Sequence, residues 1–136
     1  MKVAYHDKFR LSVHAVILND EKSVLQLKAT YQEKRWGLPG GSLDVGETIH
    51  QALMRECLEE IGIDIEILYL SGVYYHKAYE SHVCIFRCAI PPDSKIILSE
   101  EHSDYAYFPL EELGAIQRYR IEDCLNFDGE IRSACF

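Results

Sequence analysis

Positive charge is in short supply. Over 136 residues there are 14 Lys and Arg against 22 Asp and Glu, a formal charge of −8. A protein that grips a phosphate backbone through its general surface needs the reverse, so this balance argues against general nucleic-acid binding. It stays compatible with a small phosphate-bearing substrate only where something cationic, such as a bound metal ion, inverts the local field. Cysteine is sparse and unpaired in pattern: Cys57, Cys84, Cys88, Cys124 and Cys135 are odd in number and contain no C-x-x-C pair. Neither a disulfide framework nor a zinc ribbon is suggested, and a reducing cytosol is the simplest setting. Long apolar runs are missing too, since no stretch approaches the roughly 18 residues of a membrane span. The first ten residues carry charges and no apolar signal segment. The expectation is a cytoplasmic chain without membrane segment or cleaved leader. No internal repeat, low-complexity tract or Pro/Gly/Ser-rich linker divides the sequence, so residues 1–136 read as a single domain. With 48% apolar residues, such a domain can bury a core without cross-links.

What is present is organised by period. LSVHAVIL (11–18) and SVLQLKA (23–29), joined by NDEK, predict a β-hairpin of mostly buried strands. WGLPGGSLDVGE (36–47) is dense in Gly and predicts loop with short strand, ahead of a helix from about Thr48 to Ile61 that Gly62 stops. IDIEILYLSGVYYH (63–76) and HVCIFRCAI (82–90) are rich in β-branched and aromatic residues and predict a second antiparallel pair. DYAYF (104–108) predicts one more strand, Pro109 a helical turn through Leu113, and RYRIEDCLNF (118–127) a last helix. Strands, helix, strands, helix is the order of a mixed sheet with helices on its faces, an α/β fold that is not doubly wound.

On the 48–61 helix, Glu56, Glu59 and Glu60 stand at i, i+3 and i+4 and project from one side, with Met54, Cys57, Leu58 and Ile61 expected to pack on the sheet from the other. Like charges at that spacing repel. One reading is a solvated face in which Arg55 offsets Glu59; the other is an oxygen-only ligand set for a hard cation such as Mg²⁺ or Mn²⁺, which commonly shares its shell with substrate phosphates.

The segment GSLDVGETIHQALMRECLEEIGI, from Gly41 to Ile63, decides between them. It resembles the Nudix box, GX5EX7REUXEEXGU with U apolar, and matches every fixed position, the softest being Cys57 at a U position, where a buried cysteine serves as a small hydrophobe. The resemblance implies the Nudix fold, an α/β/α sandwich on a curved mixed β-sheet, and a MutT-like hydrolase acting on nucleoside diphosphates linked to a further group X, such as a (d)NTP or an ADP-ribose-like molecule. It implies that Glu56, Glu59 and Glu60 bind Mg²⁺ or Mn²⁺, that Arg55 orients the neighbouring carboxylate, and that the Gly40 carbonyl is a further ligand. Glu56 is the first candidate for the general base, although other members use a glutamate outside the box. Gly41, Glu47 and Gly62 take structural roles, Glu47 as an ion-pair partner at the helix entry.

Outside the box, Glu101, in LSEEHSDYAYF, has the position of the extra glutamate that several members bring to the metals; a solvated acidic loop is the other reading. Lys28 shares a strand face with Val24 and Gln26 and is a candidate for substrate phosphate, or else a solvated strand end. His14 reads as a hydrogen-bonded sheet residue and Trp36 as an anchor of the Gly-rich loop. Tyr74, Tyr75, His76 and Tyr79 read as packed strand faces ahead of a nucleobase site. The expected partner is a small nucleotide; a homodimer is compatible with the sequence but nothing in it fixes the oligomeric state. A Nudix-fold domain that binds nucleotide without cleaving it is the competing function, and its mark would be loss of box carboxylates. Isomerisation of a diphosphate-bearing metabolite is a third.

Overall fold

The computed structural model describes residues 6–136. The elements run β1 Arg10–Val16, β2 Val24–Ala29, β3 Trp36–Gly37, β4 Gly40–Ser42, α1 Ile49–Ile61, β5 Glu66–His76, β6 Ser81–Ala89, β7 His102–Phe108, α2 Ala115–Leu125 and β8 Arg132–Cys135. Five strands form a mixed sheet in the order β4-β1-β6-β5-β8, and three form a second sheet in the order β3-β2-β7. β1 runs parallel to β6 and β5 parallel to β8, whereas β1–β4 and β5–β6 are antiparallel.

Alternation along β1 and β6 builds two cores, because successive side chains point to opposite faces. Val13, Ala15, Cys84, Phe86 and Cys88 face one way and meet Ala52, Leu53, Cys57 and Ile61 of α1. Val16, Val83 and Ile85 face the other way and meet Ile121 and Cys124 of α2. Each helix thus covers its own face of the larger sheet, which is the expected α/β/α sandwich. The cysteines are free, four buried and Cys135 exposed, and no described helix is long and apolar enough to cross a membrane.

The predicted hairpin between residues 11–18 and 23–29 needs correction. The turn exists: Asn19 Oδ1 accepts from the Glu21 and Ser23 amides at 3.1 and 2.9 Å, and Leu18 bridges Val24. Beyond that bridge the strands part. β1 spends its two edges on β4 and β6, and β2 pairs with β3 and β7 in the other sheet. Both strands are mostly buried, β1 from Val13 to Val16 and β2 from Val24 to Leu27, which suits the inside of a sheet, and two such strands adjacent in sequence belong to different sheets here. The pair β5–β6 and the strand β7 form as predicted. β8, four residues long, had no periodic signal to announce it.

α1 is bounded by chemistry its sequence carries. Thr48 Oγ1 accepts from the Gln51 amide at 3.1 Å and Gln51 Oε1 accepts from the Thr48 amide at 2.9 Å, a reciprocal cap. Gly62 closes the helix in the left-handed conformation at φ 70°, its N–H donating to the Leu58 carbonyl at 3.0 Å. Of the four residues expected to pack on the sheet, one does not. Leu58 is 50% exposed, because it lies about 100° beyond Cys57 around the helix, on the side away from Leu53.

Candidate active site

The loop from β3 to β4 crosses the face of β1. Gly40 pairs with His14 and Gly41 with Val13, an approach so close that a Cβ on Gly40 would stand 2.0 Å from the Val13 carbonyl oxygen. Gly40 also has φ +145°, a conformation that side chains disfavour. Its half-buried N–H donates to Glu60 Oε1 at 2.7 Å. Next to it, Gly41 lies against the Glu56 carboxylate, whose atoms a Cβ there would meet at 2.6–2.8 Å. Glu56 and Glu60 of α1 therefore converge on two consecutive backbone units of the Gly-rich loop.

The three box carboxylates do not share one environment. Glu59 is exposed, Glu56 is mostly covered, and Glu60 is only 4% exposed. A fully outward acidic face is thus corrected: at about 100° per residue Glu60 falls between Glu56 and the core residues Leu53 and Cys57. Burial pushes the Glu60 carboxyl up to about 8, with the like charges of Glu56, Glu101 and Glu59 adding to it and the Gly40 N–H pulling back. Burial also raises Glu56, against the opposing hydrogen bond from Arg55. His102 Nε2 stands 3.7 Å from Glu60 Oε2, and burial lowers the imidazole pKa. Sequence reasoning passed over His102 except as the neighbour of Glu101.

Arg55 holds the cluster in register. Its Nε and Nη2 donate to the two oxygens of Glu47 at 2.7 and 2.9 Å, Nη2 also reaches the Ser42 carbonyl at 3.2 Å, and Nη1 donates to Glu56 at 3.1 Å and Glu59 at 3.3 Å. Asp44 adds a contact at 3.3 Å. The fork between Glu47 and Arg55 is bidentate, a geometry that fixes direction as well as distance. The Arg55 hydrogen bond holds Glu47 below the usual carboxylate range.

Glu101 stands on the loop before β7. The loop is tied down through its backbone: the Thr30 amide donates to the Glu101 carbonyl at 2.9 Å, and Ser99 and Ile97 amides donate to the Glu60 and Ile61 carbonyls. The Glu101 carboxylate is left exposed, and its negative field reaches Glu60, Glu56 and Tyr31. Lys28 lies on the opposite face of β2 from Leu27 and Ala29 and pairs across to Asp104. Leu27 and Ala29 line a cavity of about 260 Å³ together with Gly40, Gly41, Glu60 and His102. His14 lines the same cavity; burial and the Arg120 charge hold it down to about 4, and its Nε2 lies 3.3 Å from Ser12 Oγ. Tyr74 is fully buried and donates to Asp123 at 2.8 Å, which is the packing reading. Among the described residues no three His, Cys, Asp or Glu side chains are gathered closely enough to enclose an ion by themselves.

This arrangement has relatives. Residues 8–124 match the family model described as NUDIX domain. The chain belongs to the Nudix family. It is 34% identical over 85 residues to an RNA pyrophosphohydrolase of Blochmanniella pennsylvanica, an alignment covering 62% of this chain and 54% of that protein. An RNA pyrophosphohydrolase of Histophilus somni is 43% identical over 68 residues, 48% of this chain and 35% of that protein. The chain thus spans about half or less of the length of these curated relatives. Among solved structures, an ADP-ribose pyrophosphatase from Streptococcus suis superposes with a TM-score of 0.76 at 18% identity over 93% of this chain and 100% of that one, a likeness of fold alone.

Proposed function

We propose that this Nudix domain uses Mg²⁺ or Mn²⁺ to hydrolyse a diphosphate linkage in a nucleoside diphosphate joined to a further group X, such as a (d)NTP or an ADP-ribose-like molecule. The observation that carries the reading is the convergence of Glu56 and Glu60 on the Gly40–Gly41 backbone at one end of a cavity. The relatives' names, RNA pyrophosphohydrolase and ADP-ribose pyrophosphatase, differ in substrate and agree on the bond broken.

The donor set fits a hard divalent cation: Glu56, Glu59, Glu60, Glu101 and the Gly40 carbonyl offer only oxygen, and buried, mutually repelling carboxylates need positive charge beside them. Such a cation, when bound, screens the diphosphate charge and lowers the pKa of water. The chain's own residues do the rest. Glu56, covered enough to stay basic, is positioned to accept the proton of the attacking water. Arg55 holds that carboxylate from one side while Glu47 holds Arg55, so the orientation is set before substrate arrives. Gly62, by ending α1, fixes the last turn that carries Glu59 and Glu60. Lys28, on the face of β2 opposite Leu27 and Ala29, is turned away from the cavity that those residues line with Gly40, Gly41 and Glu60 and is left without a phosphate role in this reading. The non-catalytic alternative would be marked by lost carboxylates, and all of them are present.

The test is a panel of nucleoside triphosphates, ADP-ribose, dinucleoside polyphosphates, nucleotide sugars and 5′-triphosphorylated RNA, incubated with Mg²⁺ or Mn²⁺ and with chelator, products resolved by chromatography. Metal-dependent release of a phosphate or nucleotide product from at least one compound is expected; turnover in excess chelator, or none from any compound, overturns the reading.

Glu101 and Glu100 provide a sharper local test. The Glu101 carboxylate acts on Glu56 and Glu60, whereas Glu100 meets Thr30 only through its backbone carbonyl. Glu101→Gln is expected to lower metal-supported turnover about tenfold or more and to raise the Mg²⁺ concentration needed for half-maximal rate, with Glu100→Gln changing it less than about threefold. Equal, small effects would return the loop to a solvated role.

A further inference from the structure

β7 departs from a regular ladder at one point. Lys28 of β2 pairs with Asp104, yet the next residue, Ala29, pairs with His102, so Ser103 is left without a partner in β2. In an uninterrupted ladder Ser103 would oppose Ala29 and share the face of Leu27 and Tyr105, while His102 would point with Lys28 to the other side. The bulge reverses that assignment and re-aims the side chain, a use bulges have beside functional sites. His102 accordingly lines the cavity of about 260 Å³ with Leu27, Ala29, Gly40 and Glu60, whereas Ser103 is exposed. The same turn is docked on the end of α1. The Ser99 N–H donates to the Glu60 carbonyl at 3.4 Å and the His102 N–H to the Ser99 carbonyl at 3.3 Å, so the backbone of Glu60 itself sets where the imidazole lies.

The imidazole is enclosed and underused. Its side chain is 9% exposed, against 6% for Glu60. Nδ1 is buried with no hydrogen-bond partner, and Nε2 stands 3.7 Å from Glu60 Oε2. A carboxylate must be ionised to hold a cation. Against an ionised Glu60 a ring lone pair at Nε2 would repel and a ring N–H attract, so the geometry favours the tautomer with its hydrogen on Nε2. The separation is beyond hydrogen-bond length, but such contacts are often long before a site is filled and tighten afterwards. On the other oxygen, Oε1, the Gly40 N–H already donates at 2.7 Å. One donor leaves the carboxylate plane free to tilt, and a second donor on the other oxygen fixes it.

We propose that His102, delivered to the cavity by the bulge, is a positioning residue whose Nε2–H holds Glu60 Oε2 in the orientation that meets a divalent cation. This role rests on the metal-dependent hydrolysis proposed above and deepens it by naming what aims one of its carboxylates. The test is Mn²⁺ binding to the substrate-free protein, followed through the EPR signal of the free ion, for wild type, His102→Gln, His102→Asn and His102→Leu, each also melted in chelator. Glutamine carries its amide nitrogen about as far along the side chain as Nε2, asparagine carries it at the place of Nδ1, and leucine has none. His102→Asn and His102→Leu are expected to weaken Mn²⁺ binding about tenfold or more, with His102→Gln within about threefold of wild type, and kcat should fall in the same order. If the ring only fills space, the losses would instead track the changes in Tm and ignore the place of the amide nitrogen. Should His102→Leu fail to fold, the contrast between Asn and Gln decides. Binding by His102→Asn and His102→Leu within about threefold of wild type, or equal losses in His102→Gln and His102→Asn, overturns the role of His102; if the wild type meanwhile binds Mn²⁺ and cleaves a diphosphate, the hydrolysis stands. A wild-type protein that binds no Mn²⁺ overturns both.

Discussion

Glu60→Gln is expected to lower kcat about a hundredfold or more while the metal-free protein becomes no less stable. The two halves of this result have one cause. Glu60 is buried and accepts a hydrogen bond from Gly40 N–H at 2.7 Å, and glutamine keeps an oxygen where that bond needs it. What glutamine removes is the negative charge, which the proposed chemistry needs and the metal-free fold bears as a cost. The sign of the pH dependence follows. Burial, with Glu56, Glu101 and Glu59 nearby, raises the folded-state pKa from 4.5 to about 8. Between those values the folded state keeps a proton that the unfolded state has released, so stability falls as pH rises through the window. In chelator, the wild-type unfolding free energy should drop from pH 5 to pH 8 relative to Glu60→Gln, by on the order of a few kcal/mol. Added Mg²⁺ should remove the difference by stabilising the wild type alone. Parallel pH curves for the two proteins, or near-wild-type turnover by the variant, would show that Glu60 does not carry the charge assigned to it.

The sequence made some of this plain and hid the rest for physical reasons. α1 was legible to within a residue because its limits are local: Thr48 and Gln51 cap it, and Gly62 ends it. β5 and β6 were legible because they pair across a short turn. β1 and β2 misled, since closeness in sequence and apolar character fit a hairpin as well as they fit the centres of two sheets; only the partners β4, β6, β3 and β7 distinguish them. At the site, residue types and spacing pointed to the carboxylates and Arg55 but could not grade their burial.

The neighbouring glycines of the loop should fail in different ways when each is given one methyl group. At Gly40 the added carbon would stand 2.0 Å from the Val13 carbonyl oxygen and 2.7 Å from His14 Cα, at a φ of +145°. These obstacles are backbone in the centre of the larger sheet, where β1 is held on both sides, and they do not yield. Gly40→Ala should therefore cost the fold about 3–5 kcal/mol, read as a fall in Tm or denaturant midpoint with or without metal. At Gly41 the three atoms nearest the added carbon are Glu56 Cδ, Oε1 and Oε2 at 2.6–2.8 Å, the far end of a side chain that can swing. The fold should hold to within about 1 kcal/mol. The carboxylate, however, must leave the position in which Arg55 Nη1 holds it at 3.1 Å, and a displacement of about 1 Å at a reacting group can cost about two orders of magnitude in rate. Gly41→Ala is thus expected to lose kcat about a hundredfold with a nearly unchanged melting curve. Unchanged turnover in Gly41→Ala would mean that Glu56 acts from some other position than the one it occupies against this backbone. A wild-type melting curve for Gly40→Ala would mean that the β1–β4 approach is looser than the Val13–Gly40 geometry requires.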